Sequence, residues 1–81
     1  MVPFLVECYH PGTALGWLDE IRRSIDERGE PSGCHCLTSI LVPDDGVAFF
    51  VVVGPRLETV VDVMAHVGIV ADRVVPSVVA T

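Results

Sequence analysis

Lysine is missing from this sequence, and its five arginines are set against eleven acidic side chains, for a formal charge of −6. A nucleic-acid backbone is held by clustered cations, so this composition excludes that class of partner. No apolar run approaches the ~20 residues that a membrane-spanning helix needs; the longest covers residues 47–53. Residues 1–9 lack the basic start and long apolar core of a secretory signal. Cysteine is sparse and odd in number, at three. The expectation is a reduced, soluble, cytoplasmic protein. Catalytic signatures are missing as well. There is no Gly-x-Ser-x-Gly elbow, no pair of carboxylates at useful spacing and no phosphate-binding glycine loop, since Gly12 and Gly16 do not form one. Asp44-Asp45 is followed by no calcium-loop spacing and reads as turn chemistry.

What the chain does have is apolar surface. Its 81 residues make one domain, 1–81, and 51% of them are hydrophobic, slightly above the roughly 45–50% of ordinary globular domains. A domain this small buries only about 60–65% of the surface its unfolded chain exposes. The excess therefore predicts that one face is covered by a partner, with oligomerisation the standard route.

The apolar periods divide the chain into strand, helix, strand, strand, helix, strand. Alternation over residues 2–8 puts Phe4, Val6 and Cys8 on one face and Leu5, Glu7 and Tyr9 on the other. His10-Pro11-Gly12 ends that strand, and Thr13 suits a helix N-cap. Ala14, Trp17, Leu18, Ile21 and Ile25 then recur at the helical period to about residue 28, with Arg22, Arg23 and Asp26 facing away. Gly29 fits a C-terminal position needing positive φ. A second strand over residues 35–42 and a third over 47–53 flank an Asp-Gly turn signal. The third is apolar on both faces, as a central strand is. Gly54-Pro55 breaks the chain, and Pro55 can open a second helix. Leu57, Val60, Val61 and Met64 form that helix's inward stripe, and Gly68 stops it. Pro76 cannot donate to a ladder, so the last strand, residues 73–79, must lie at an edge. Two split βαβ units with right-handed crossovers give an α+β, ferredoxin-like βαββαβ sandwich. Its antiparallel sheet has the order 4-1-3-2, with both helices on one face.

That topology leaves a second face open. Leu5, Glu7 and Tyr9 fall on it, with Phe49, Val51 and Val53 or, in a shifted register, their neighbours. A face so apolar predicts a homodimer packed sheet to sheet, the alternative being a larger partner that covers it.

Phe4-Leu5-Val6-Glu7, Gly54-Pro55 and the stretch Gly68-Ile69-Val70-Ala71-Asp72-Arg73-Val74-Val75 resemble a small bacterial family. Its members are single-domain ferredoxin-like proteins common in actinobacteria, grouped under a generic label of unknown function and including a nickel-binding member. The resemblance spans nearly the whole chain and implies the same fold, a dimer and a transition metal such as nickel. Family members carry a Trp, a His or Arg, and a Tyr at alternating positions of the second strand, where this chain has Cys36, Thr38 and Ile40. The family's Tyr-Glu before an Ala-Pro turn is Val52-Val53 before Gly54-Pro55 here, while Glu7 is kept.

Two constellations could carry chemistry. Cys34-His35-Cys36 offers thiolate and imidazole, good ligands for nickel or zinc. In a strand, however, Cys34 and Cys36 share one face and His35 takes the other. The plain alternative is a core cysteine, a loop cysteine and an exposed histidine. Glu7, on a central strand, needs a partner or a proton. With Tyr9 and His10 it forms a candidate ligand-binding set, and the plain alternative is a polar anchor at the dimer interface. His66 near a helix C-terminus is accounted for by the helix dipole. The reading is thus a small dimeric binding protein, for a transition metal such as nickel or for a small ligand at the dimer interface. The alternatives are a cofactor-free monooxygenase or isomerase built as a dimeric α+β barrel, and a purely structural interaction module.

Overall fold

The structure, a computed structural model, describes residues 1–9 and 15–80. Its elements are β1 (Val2–Tyr9), α1 (Leu15–Gly29), a 3-10 turn (Glu30–Ser32), β2 (His35–Val42), a second 3-10 turn (Pro43–Asp45), β3 (Val47–Gly54), α2 (Leu57–His66) and β4 (Arg73–Pro76). The strands form one antiparallel sheet ordered β2-β3-β1-β4. This is the ferredoxin-like order expected from the sequence, with β1 and β3 inside. The His10-Pro11-Gly12 turn, the Thr13 cap and Ala14 lie outside the described residues.

Register fixes which side chains enter the core. Phe4, Val6 and Cys8 stand opposite Val52, Phe50 and Ala48, and all six are buried under the helices with Leu18, Ile25, Val60 and Met64. Burying a side chain the size of Phe50 contributes roughly 1.5–3 kcal/mol. Trp17 meets it edge to face, with ring centroids 6.1 Å apart.

Helix α2 differs from the expected stripe. Val60, Val63 and Met64 are buried, whereas Leu57 and Val61 are largely exposed. The apolar spacing is i, i+3, i+4, i+7 from Val60 to Val67, and it leads directly to buried Ile69. Pro55 does not open the helix; Arg56 is its N-cap. Gly68 is the expected stop, at φ +82°. Gly29, in contrast, has φ −83°, and the left-handed residue is Gly33 at φ +80°. Gly29 is required for space: a Cβ there would sit 2.8 Å from the Cys34 carbonyl oxygen.

Both sheet edges are interrupted. Between Cys36 and Thr38 the β2–β3 register slips, with Leu37 as the extra residue of a bulge. Side chains of α1 occupy the freed groups: Asp26 Oδ1 accepts from the Cys36 N–H at 2.8 Å, and Arg22 Nη2 donates to the Leu37 carbonyl at 3.2 Å. At the other edge, β4 ends at Pro76 rather than at residue 79. Ser77 N still donates to the Pro3 carbonyl at 2.8 Å, but Pro3 has no N–H to return and the ladder stops. Since Ser77 bonds inward, the alternation of the ladder turns Val74 and Pro76 outward. The donor that proline lacks is thus missing on the solvent side.

Candidate functional site

The face away from the helices is built by the residues that alternate with the core. Leu5 is flanked by Val51 and Val75, and Glu7 by Phe49 and Arg73. Thr38 and Ile40 extend the face from β2, opposite Val51 and Phe49. Leu5, Phe49, Val51, Val53 and Val75 are each only half-buried, and Ile40 is 53% exposed. This is the apolar open face the sequence predicts.

Glu7 interrupts it. The residue as a whole is half-buried, and the Tyr9 hydroxyl donates to Glu7 Oε1 at 3.5 Å, a weak and exposed contact. The backbone around them is held firmly. Asp72 N donates to the Glu7 carbonyl at 2.8 Å, and Tyr9 N donates to Asp72 Oδ2 at 2.9 Å. Asp72 therefore clamps the end of β1 beside the start of β4, and this sets Arg73 directly across from Glu7. His10 lies outside the described residues. Asp72 and Arg73 belong to the stretch that carries the family resemblance, but their place beside Glu7 becomes visible only through the β1–β4 register.

Cys34-His35-Cys36 is not brought together as a ligand set within the chain. Cys34 and Cys36 are buried, Cys36 opposite Val52 on the helix side, whereas His35 is exposed opposite Val53 on the open face. Burial raises the Cys34 thiol pKa above its usual range. Cys36 is pushed up to about 11 by burial, which outweighs the lowering effect of the Arg22 guanidinium, and the Asp26 carboxylate adds a smaller upward push. Cys8 is also raised, by burial and then by Asp72. A cysteine ligates a metal as its thiolate, so these environments oppose cysteine ligation. Among the described residues no three His, Cys, Asp or Glu side chains gather in a group able to hold a metal ion. The three cysteines are free thiols. The Leu37 bulge also separates Cys36 from Thr38 and Ile40, so these positions, alternating in sequence, do not share a face.

Two clefts lie elsewhere. One, of about 370 Å³, runs between the C-terminal end of α1 and α2, past Glu27, Arg28, Ser32, Asp62 and His66. His66 Nδ1 lies 2.7 Å from the Asp62 carbonyl and donates to it, since a carbonyl can only accept. The other, of about 440 Å³, is apolar and lies between α2 and the segment leading into β4, with Val61, Met64, Ile69 and Val74 in its walls. Neither includes Glu7 or Tyr9.

No protein-family model matches the chain, and no curated protein matches it. Among solved structures, the crystal structure of SCO4226 from Streptomyces coelicolor A3(2) superposes with a TM-score of 0.88. It covers 98% of this chain and 99% of its own, at 18% identity. The chain shares that protein's fold from end to end; at this identity the likeness extends to fold alone.

Proposed function

We propose that this protein is a small cytoplasmic homodimer that binds a small ligand on its open sheet face, with Glu7 and Tyr9 as the polar groups that hold it. The observation that carries this reading is an acidic residue, half-buried as a whole, on an interior strand among Leu5, Phe49, Val51 and Val75, whose carboxylate has, among the described residues, one long side-chain bond, from Tyr9. A carboxylate in apolar surroundings requires a hydrogen-bonding or cationic partner. A second copy laid on the face would enclose the group and any molecule bound to it. Three free thiols suit a reducing compartment, and among the described residues no helix is long and apolar enough to cross a membrane.

A cofactor-free monooxygenase or isomerase of the dimeric barrel type would need its polar groups in a pocket between helices and sheet. Glu7 and Tyr9 are on the opposite side of the sheet from the helices, which favours binding on the face over chemistry in such a pocket.

Native mass spectrometry of untagged protein, with and without added nickel or zinc, tests the reading. The expected result is a dimer carrying one added mass in fixed stoichiometry, retained in Cys34→Ser/His35→Ala and lost in Glu7→Gln and Tyr9→Phe. A metal lost only in the Cys34/His35 variant would transfer the site to those residues. A monomer with no bound mass would sink the proposal.

A further inference from the structure

Glu7 and Arg73 face each other across the β1–β4 ladder on the open face, and we propose that in the dimer each Glu7 is neutralised by Arg73 of the partner subunit, so that the site is complete only with both copies present. The inference rests on the dimer reading above. It begins from a count of cations: the five arginines are Arg22, Arg23, Arg28, Arg56 and Arg73. The first three are on α1 and the fourth caps α2, which leaves Arg73 as the one arginine on the sheet. A second copy seated on the face strips water from Glu7, and a carboxylate so enclosed needs a cation. Within one chain Arg73 is exposed and makes no ion pair with Glu7.

Two-fold symmetry supplies the rest. An isologous interface repeats every contact, so a patch with an acid and a base side by side is its own complement. The chain as a whole carries −6 and should repel its copy, yet Glu7 and Arg73 cancel on this face. The edges are unsuited to association, since the Leu37 bulge with its α1 side chains closes one and Pro76 blunts the other. The face has the area. Strands of eight residues at about 3.3 Å per residue, spaced about 4.8 Å apart, make roughly 400–500 Å² per copy. Two such faces make roughly 800–1,000 Å², at the small end for a specific interface. An interface that small depends strongly on its charge pairing.

The test is a charge swap read by analytical ultracentrifugation, with circular dichroism confirming that each variant is folded. Glu7→Arg and Arg73→Glu should each raise the dimer Kd at least tenfold, because each places like charges across the axis. An equimolar mixture of the two should form a heterodimer with affinity near wild type, since both opposite-charge pairs are restored between chains and neither within one. Dimers of undiminished affinity in both variants, with no preference for the mixed species, would overturn the pairing and leave the dimer standing. A monomeric wild type would overturn both readings. If a charge reversal prevents folding, an equimolar mixture of Glu7→Gln and Arg73→Gln chains keeps one pair between chains and none within one: preference for the mixed dimer over either homodimer supports the pairing, and statistical mixing refutes it.

Discussion

The Cys36 backbone N–H is bonded to the Asp26 carboxylate at 2.8 Å, a bond that ties the bulged edge of the sheet to α1. Removing the acceptor strands a partly buried donor, which costs about 1–3 kcal/mol. Asp26→Ala should therefore lower unfolding free energy by that amount in urea titration, and Asp26→Asn should recover most of it. An Asp26→Ala protein as stable as wild type would mean that water replaces the carboxylate at no cost.

Gly54 is closed in by two side chains. A Cβ there would stand 2.7 Å from Val60 Cγ2 and 2.9 Å from Cys34 Sγ. Overpacking of this kind typically costs about 1–3 kcal/mol. Gly54→Ala should be destabilised on that scale, and Cys34→Ala in the same chain should relieve part of the loss. Thermal melts of the two single variants and the double one would show a positive coupling, and simple additivity would contradict the contact.

Stability should fall in alkali. The Cys36 thiol keeps its proton up to about 11 in the fold, against an ordinary value of 9.0 when unfolded. Between those values the unfolded chain binds fewer protons than the native one, so unfolding is favoured as pH rises. The contribution is fully present below pH 9 and is lost through pH 11. Urea midpoints measured from pH 7 to 10.5 should decline for wild type and decline less for Cys36→Ala. Parallel curves for the two proteins would remove Cys36 as the cause.

Val51 lies at the centre of the open face, between Leu5 and Thr38. A carboxylate there would meet its own copy across a two-fold axis without a cation. Val51→Asp should stay folded by circular dichroism and elute as a monomer in light-scattering chromatography, with ligand binding lost together with the dimer. A dimer of unchanged affinity would move the interface to another surface.

The order and edges of the sheet were legible because their signals are local and redundant: Pro76 rules out a central strand by itself, and the unbroken apolar run of β3 rules out an edge. The alternation of β1 likewise put Glu7 and Tyr9 on the open face. Other features depended on distance. The bulge at Leu37 has no glycine or proline to announce it, and its cause is two charged side chains on α1 that look like ordinary solvated positions. Arg22 and Asp26 are such residues in every local respect; they are structural because β2 passes beside them. Arg73 became a site residue only once the ladder set it opposite Glu7. The α2 stripe is ambiguous in the sequence because Val60-Val61 and Val63-Met64 offer two adjacent apolar faces, and only the path onward to Ile69 selects the one with Val63.

The clamp from Tyr9 to Asp72 joins residues 63 positions apart, and it has a consequence for how the chain is made. Pairing of β2 with β3 needs only a short turn, but β1 waits for nearly the whole sequence before its second neighbour exists. Closing so long a loop is slow. On the ribosome, a nascent chain that has not yet released Arg73 presents β1 with one bare, apolar flank, the kind of edge that recruits other chains. The β4 segment therefore acts as a chaperone for β1, and the hazard to yield is concentrated in the interval before Arg73–Pro76 is available to pair.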